Sequence, residues 1–168
     1  MVVRAPRRSE QPMTVVQLCM PATPTLTNPY FTKLNAIENE KERLMSDTGP
    51  VDDDAPEAFT ETDSGLNFRI LRKSDGEKAT SNDSVTVNYR GWLDDGTEFD
   101  SSYKRGEPIS FPLGGVIPGW TEGMQLIGVG GMIELTIPAE LGYGQRGAGA
   151  DVPPNATLHF IVELISVN

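Results

Sequence analysis

The chain carries 168 residues, 38% of them apolar, and its 24 acidic against 14 basic side chains leave a net charge of −10. That length suits one domain with an extension, while the negative balance speaks against a phosphate-binding surface, so no nucleic-acid partner is expected. Cys19 is the single cysteine, which excludes an internal disulfide and a cysteine zinc cluster, and no run reaches the ~18 apolar residues of a membrane span.

At the start of the chain, Arg4, Arg7 and Arg8 precede an apolar stretch over residues 14–20 that imitates an export leader. The imitation is poor, because Gln17 interrupts it and Leu18 stands before Cys19 where a lipoprotein signal needs a small residue. A cytoplasmic protein is the expectation, with Met13 as an alternative start; a periplasmic or exported protein is the alternative. Residues 1–27 read as a flexible segment. Thr27-Asn28-Pro29 then offers a cap and a first-turn proline, and Phe31, Leu34, Ile37, Leu44 and Met45 recur near helical spacing. They predict a short amphipathic helix over residues 28–46, docked on the domain or frayed in water, with dimerisation through it as the alternative. Monomer and homodimer both stay open. Residues 47–63 read as an acidic linker, since Asp52-Asp53-Asp54 and Pro56 offer little to bury.

From residue 64 to the end the period is that of strands. Leu66, Phe68 and Ile70 alternate with polar residues, then Val85, Val87 and Tyr89 do the same. Asp94-Asp95-Gly96 turns the chain back into residues 97–100 as a hairpin. Ile109, Phe111 and Leu113 alternate again, and Pro118-Gly119-Trp120 opens one short helix with Trp120, Met124 and Ile127 on a face. Residues 132–137 and an alternation through Leu158, Phe160, Val162 and Leu164 complete the inventory. The class is α+β, with several antiparallel strands wrapped around one helix.

Three motifs invite other chemistries and support none. Gly142-Tyr143-Gly144-Gln145-Arg146-Gly147 fits the dinucleotide fingerprint, but Pro153-Pro154 follows where a phosphate-binding helix would have to run. Asp94, Asp95, Glu98 and Asp100 lack the spacing of a calcium loop and the opposed placement of a glycosidase pair, and the first two are explained by the turn. His159 with Ser101 or Ser102 lacks a nucleophile elbow, and a solvated strand histidine is expected. What remains is a set of aromatics on separate elements: Tyr89, Phe99, Phe111, Trp120, Tyr143 and Phe160, with Val116 and Ile117 in a nearby loop. They could fill a core or line an apolar slot.

The segments Val87-Asn88-Tyr89-Arg90-Gly91, Asp95-Gly96-Thr97-Glu98-Phe99-Asp100-Ser101-Ser102, Gly115-Val116-Ile117-Pro118-Gly119-Trp120, Leu141-Gly142-Tyr143-Gly144 and Pro153-Pro154-Asn155-Ala156-Thr157-Leu158 carry a resemblance. In this order they resemble the FK506-binding-protein (FKBP) type of peptidyl-prolyl cis-trans isomerase, over residues 64–168, and the short loop before Trp120 is similar to the bacterial branch that includes the macrophage infectivity potentiators. The resemblance implies a curved antiparallel sheet of five or six strands around one short helix, and a rotamase with chaperone-like activity in protein folding. It implies Tyr89, Phe99, Asp100, Ile117 and Tyr143 as catalytic positions, and Ile109, Phe111, Val116, Trp120 and Phe160 as substrate-binding ones, with Trp120 as the floor. Proline-containing polypeptides are the implied partners and macrolides the implied inhibitors. Ile109 stands where many relatives have an aromatic residue, and Ala148 and Asp151 where small members have histidine and an aliphatic residue, which bears on macrolide grip more than on catalysis.

Twisting an amide breaks no covalent bond, so neither a metal nor a cofactor is expected. The alternative on the same fold is a module or holdase chaperone that grips proline-bearing segments without catalysis.

Overall fold

The structure, a computed structural model, describes residues 48–168. The readings made for residues 1–27, for the helix over 28–46 and for dimerisation through it lie outside the described residues. No helix among the described residues is long and apolar enough to cross a membrane.

Seven strands form one antiparallel sheet: β1 (Thr60–Glu61), β2 (Asn67–Arg72), β3 (Ser84–Leu93), β4 (Glu98–Ser101), β5 (Ile109–Pro112), β6 (Met132–Ile137) and β7 (Leu158–Val167), in the order β1-β2-β6-β7-β3-β4, with β5 also on β3. Six of the seven are the strands expected from the sequence, and the seventh is β1. A two-residue β1 pairs with β2, and β4 and β5 share one edge of the long β3, at residues 90–92 and 84–87 respectively. Register shifts leave an extra residue in β2, β4 and β7, at Leu71, Phe99 and Ile165, and such bulges bend strands and deepen twist.

Two short α-helices accompany the sheet, α1 (Ser102–Arg105) and α2 (Pro118–Met124). Helix α1 is absent from the sequence expectation, because four residues are too few to show a period; its signals are local, the Ser101 side chain accepting from the Lys104 N–H and Gly106 closing it in the left-handed region. Helix α2 starts on Pro118 and lies against β6. Its glycines allow the approach: a Cβ on Gly119 would stand 2.6 Å from Ile137 Cγ2, and one on Gly123 2.8 Å from Leu135 Cδ1.

Alternation divides the strands between two faces. The inner face buries Val85, Val87 and Tyr89 of β3, Ile133, Leu135 and Ile137 of β6 and Leu158, Phe160, Val162 and Leu164 of β7 around Trp120 and Met124. On the outer face, the Arg69–Glu134 and Arg72–Glu163 pairs cross between strands, and Leu71, Trp92, Met132 and Ile161 form a second, smaller apolar cluster.

Part of the segment read as linker is attached to the domain. Val51 packs on the second cluster, the Asp52 N–H donates to the Leu71 carbonyl at 2.9 Å, Asp52 Oδ2 accepts from the Lys73 N–H, and Arg72 reaches the Pro50 carbonyl. The acidic run hid this, because Val51 alone carries the apolar contact while Asp52 works through hydrogen bonds. Trimming Val51 to alanine removes two methyl groups from a partly buried site, at ~0.8 kcal/mol each when fully buried, so a loss of about 1 kcal/mol and a drop of ~4 °C in melting temperature are expected. An unchanged calorimetric melting temperature would show the attachment to be idle.

Candidate active site

A cavity of about 280 Å³ opens on the inner side of the sheet, lined by Tyr89, Phe99, Asp100, Phe111, Gly115, Val116, Ile117, Trp120, Tyr143 and Phe160. Four strands and the start of α2 contribute. Strand β3 turns Tyr89 inward, β4 brings Phe99 and Asp100, β5 brings Phe111, β7 brings Phe160, and the cap of α2 sets Ile117 and Trp120 side by side. Trp120 is 4% exposed and meets Tyr89, Phe111 and Phe160 edge-on, with centroids 5.1, 5.7 and 5.3 Å away. Such edge-to-face contacts suit ring quadrupoles and lock the ring in place. Trp120 Nε1 is buried and has no hydrogen-bond partner among the described residues.

Nine of the ten residues assigned from the sequence meet at this cavity. Ile109 does not line it: it pairs with Val87 in the sheet and packs against the main core instead. Gly91 was quoted in the motif without a role. A Cβ there would stand 2.7 Å from both Phe160 Cε1 and Phe99 Cζ, so the missing side chain leaves room for the edge-on Phe99–Phe160 pair.

The polar end of the cavity holds a three-residue network. The Tyr89 hydroxyl donates to Asp100 Oδ2, the Arg105 guanidinium donates to Asp100 Oδ1, and a second Arg105 nitrogen donates to the Tyr89 oxygen at 2.8 Å. Sequence reasoning missed Arg105, which follows Asp100 by five residues and comes back only because α1 turns the chain. Burial pushes the Asp100 carboxyl upward, but the Tyr89 and Arg105 hydrogen bonds and the Arg105 charge outweigh it and hold the group below the usual carboxylate range. Burial, then the bond to Asp100, pushes the Tyr89 hydroxyl up to about 12. Asp100 is therefore a fixed negative charge and Tyr89 a fixed donor around neutrality.

Other candidates lie elsewhere. His159 is on the outer face, stacked on Trp92 and bonded to Asp94 at 2.7 Å and Thr136 at 3.1 Å, which corrects the expectation of a solvated histidine. Asp95 accepts from the Thr97 N–H as a turn residue, and Glu98 pairs with Arg90 and Lys104. The glycine-rich run opens only a three-residue 3₁₀ turn, Gly144–Arg146.

This slot, with its aromatic floor and single carboxylate, can be set beside known proteins. A family model described as FKBP-type peptidyl-prolyl cis-trans isomerase matches residues 75–165. The chain belongs to this family. It is 53% identical over 111 residues to the FKBP-type 22 kDa peptidyl-prolyl cis-trans isomerase of Escherichia coli K12, covering 66% of this chain and 54% of that one. FkpA of the same organism is 54% identical over 103 residues, 61% of this chain and 38% of that protein. The chain thus spans about half, or less, of the length of these relatives. Its fold matches the crystal structure of Escherichia coli FkpA with a TM-score of 0.65 at 42% identity, over 83% of this chain and 60% of that one. A Pseudomonas syringae peptidyl-prolyl cis-trans isomerase matches with a TM-score of 0.63 at 32% identity, over 81% and 96%. An FKBP slot also accounts for why so many aromatics of a small domain sit on one face and yet leave a cavity.

Proposed function

We propose that this FKBP domain isomerises peptide bonds preceding proline, with the slot as the site of rotation. The observation that carries the reading is a charged Asp100, fixed by Tyr89 and Arg105, at the edge of an otherwise aromatic cavity. Rotation about an X–Pro bond costs about 20 kcal/mol because it destroys amide resonance. The planar amide is more dipolar than the twisted one, so transfer from water into an aromatic slot raises the ground state more than the transition state. The prolyl ring sits on the Trp120 floor between Phe99, Phe111 and Phe160. The Ile117 N–H and the Tyr143 hydroxyl hold substrate carbonyls, and Asp100 supplies a local field at the twisting amide. The step needs no general acid or base from the chain.

A protease-free assay of a Leu-Pro peptide tests this. Catalysed exchange is expected, competed by an FK506-type macrolide that fills the same slot. The rate should stay level from about pH 6 to pH 9, since neither Asp100 nor Tyr89 titrates there. For Asp100 the sign is that of a depressed carboxyl: its interaction is complete above the unfolded-chain pKa and is lost as pH falls through the lower folded value. For Tyr89 it is the reverse, complete below the unfolded-chain value and lost as pH rises through about 12. Absence of catalysis at every pH sinks the reading.

A further inference from the structure

Five arginines lie among the described residues, and four are committed: Arg69 to Glu134, Arg72 to Glu163, Arg90 to Glu98 and Arg105 to Asp100. Arg146 is exposed and makes no hydrogen bond or ion pair within the described residues. It ends the 3₁₀ turn Gly144–Arg146 whose cap is Tyr143, a wall of the slot and itself 41% exposed.

Arg146 follows Tyr143 by three residues, and the positive φ of Gly144 (57°) interrupts a regular 3₁₀ path between them, so their Cα atoms lie no more than about 11 Å apart. That is at most about three residues of an extended peptide. The turn is held in place rather than loose. The Asn155 N–H donates to the Gly144 carbonyl, and Ala148 and Val152 pair backbone to backbone. A long cationic side chain on a fixed base, beside a substrate wall and without a carboxylate of its own, is placed to meet an anion on the incoming chain. Asp151, in the adjoining turn, forms no ion pair with it.

We infer that Arg146 is a specificity-determining residue that favours substrates carrying an acidic side chain within three residues of the proline. This rests on the isomerase reading and adds a client preference to it. The preference runs against the field of the whole chain, whose net charge of −10 repels acidic peptides. A measured preference for them therefore reports a local contact. Arg146 does not line the cavity, and the neutral-peptide rate should not depend on it.

The test uses the 168-residue chain and Leu-Pro peptides with Glu, Gln or Lys one and two positions before Leu and one to three after Pro, in the protease-free assay. The expected result is a kcat/KM for the Glu peptide at one of these positions about two- to fivefold above that for Lys, mostly through KM, as an exposed ion pair allows. Salt of about 0.5 M should erase it. Arg146→Gln should abolish the preference, Arg146→Glu should invert it, and all three proteins should turn over the Gln peptides alike. Equal rates for Glu and Lys peptides at every position, or a preference that Arg146→Gln retains, overturns the inference while leaving the isomerase reading intact. Failure to accelerate any peptide overturns both.

Discussion

Asp100→Ala is expected to lower kcat/KM on a Leu-Pro peptide by at least about tenfold, equivalent to ~1.4 kcal/mol of barrier, with the fold retained. Among the described residues the carboxylate is the only acidic group lining the slot, and its side chain is 39% exposed, so its removal opens no buried hole. The Tyr89 oxygen keeps the Arg105 donor at 2.8 Å, and the Tyr89 O–H, which loses its Asp100 acceptor, faces an open slot where water can accept from it. Asp100→Asn keeps the shape and loses the charge, so it separates the field from the packing; a rate close to that of Asp100→Ala is expected. Peptide affinity, followed through the emission of Trp120 under the bound proline, should change much less than turnover. A holdase or docking module predicts a different pair of results, no turnover in the unmodified protein and binding indifferent to Asp100. Full turnover in Asp100→Ala removes the carboxylate from the mechanism.

Trp120→Ala should have the largest effect on stability, about 3–5 kcal/mol in urea denaturation, as for other large aromatics truncated in cores. Domains of this size are stable by only ~5–15 kcal/mol in total, so the variant approaches its threshold. The indole is nearly inaccessible and three other rings turn their edges to it, so its loss leaves a cavity that those rings cannot collapse into without giving up their own contacts with the sheet. Trp120→Leu keeps much of the volume and should recover at least half of the loss. The second tryptophan, Trp92, lies in the other cluster and reports unfolding in both variants. A cost for Trp120→Ala below about 1 kcal/mol would mean that the floor is not part of the core.

The inner face of the sheet was legible because its apolar positions recur at every second residue, at 85, 87 and 89 of β3, 133, 135 and 137 of β6 and 158, 160, 162 and 164 of β7, and period-2 burial needs no tertiary information. Nine cavity residues followed from the resemblance, since the same alternation that buries Tyr89 and Phe160 also points them at α2. Ile109 went the other way because β5 is four residues long, and its start is fixed by pairing with Val87 rather than by the slot. Arg105 depends on a one-turn helix that has no periodicity to read. The outer cluster did leave a trace: Ile70-Leu71, Trp92-Leu93, Met132-Ile133 and Phe160-Ile161-Val162 are consecutive apolar residues within strands, the signature of a sheet covered on both faces. Those runs called for a cover, and Val51 is part of it. The acidic composition around Val51 concealed the cover, because hydrogen bonds to a backbone leave no compositional mark.

The margins of the sheet bear on what such a domain meets. An enzyme of unfolded chains is surrounded by extended polypeptide seeking a strand to pair with, and a long bare margin would recruit it as an added strand. Here one side is closed by β1 and by the Asp52 contact to Leu71, and the other is divided between β4 and β5, each four residues long. Neither side offers a straight template, so a client has little opportunity to be captured by backbone pairing and co-aggregate. On the proposed isomerase reading its contact is then with the slot, through one proline rather than through a ladder of backbone hydrogen bonds.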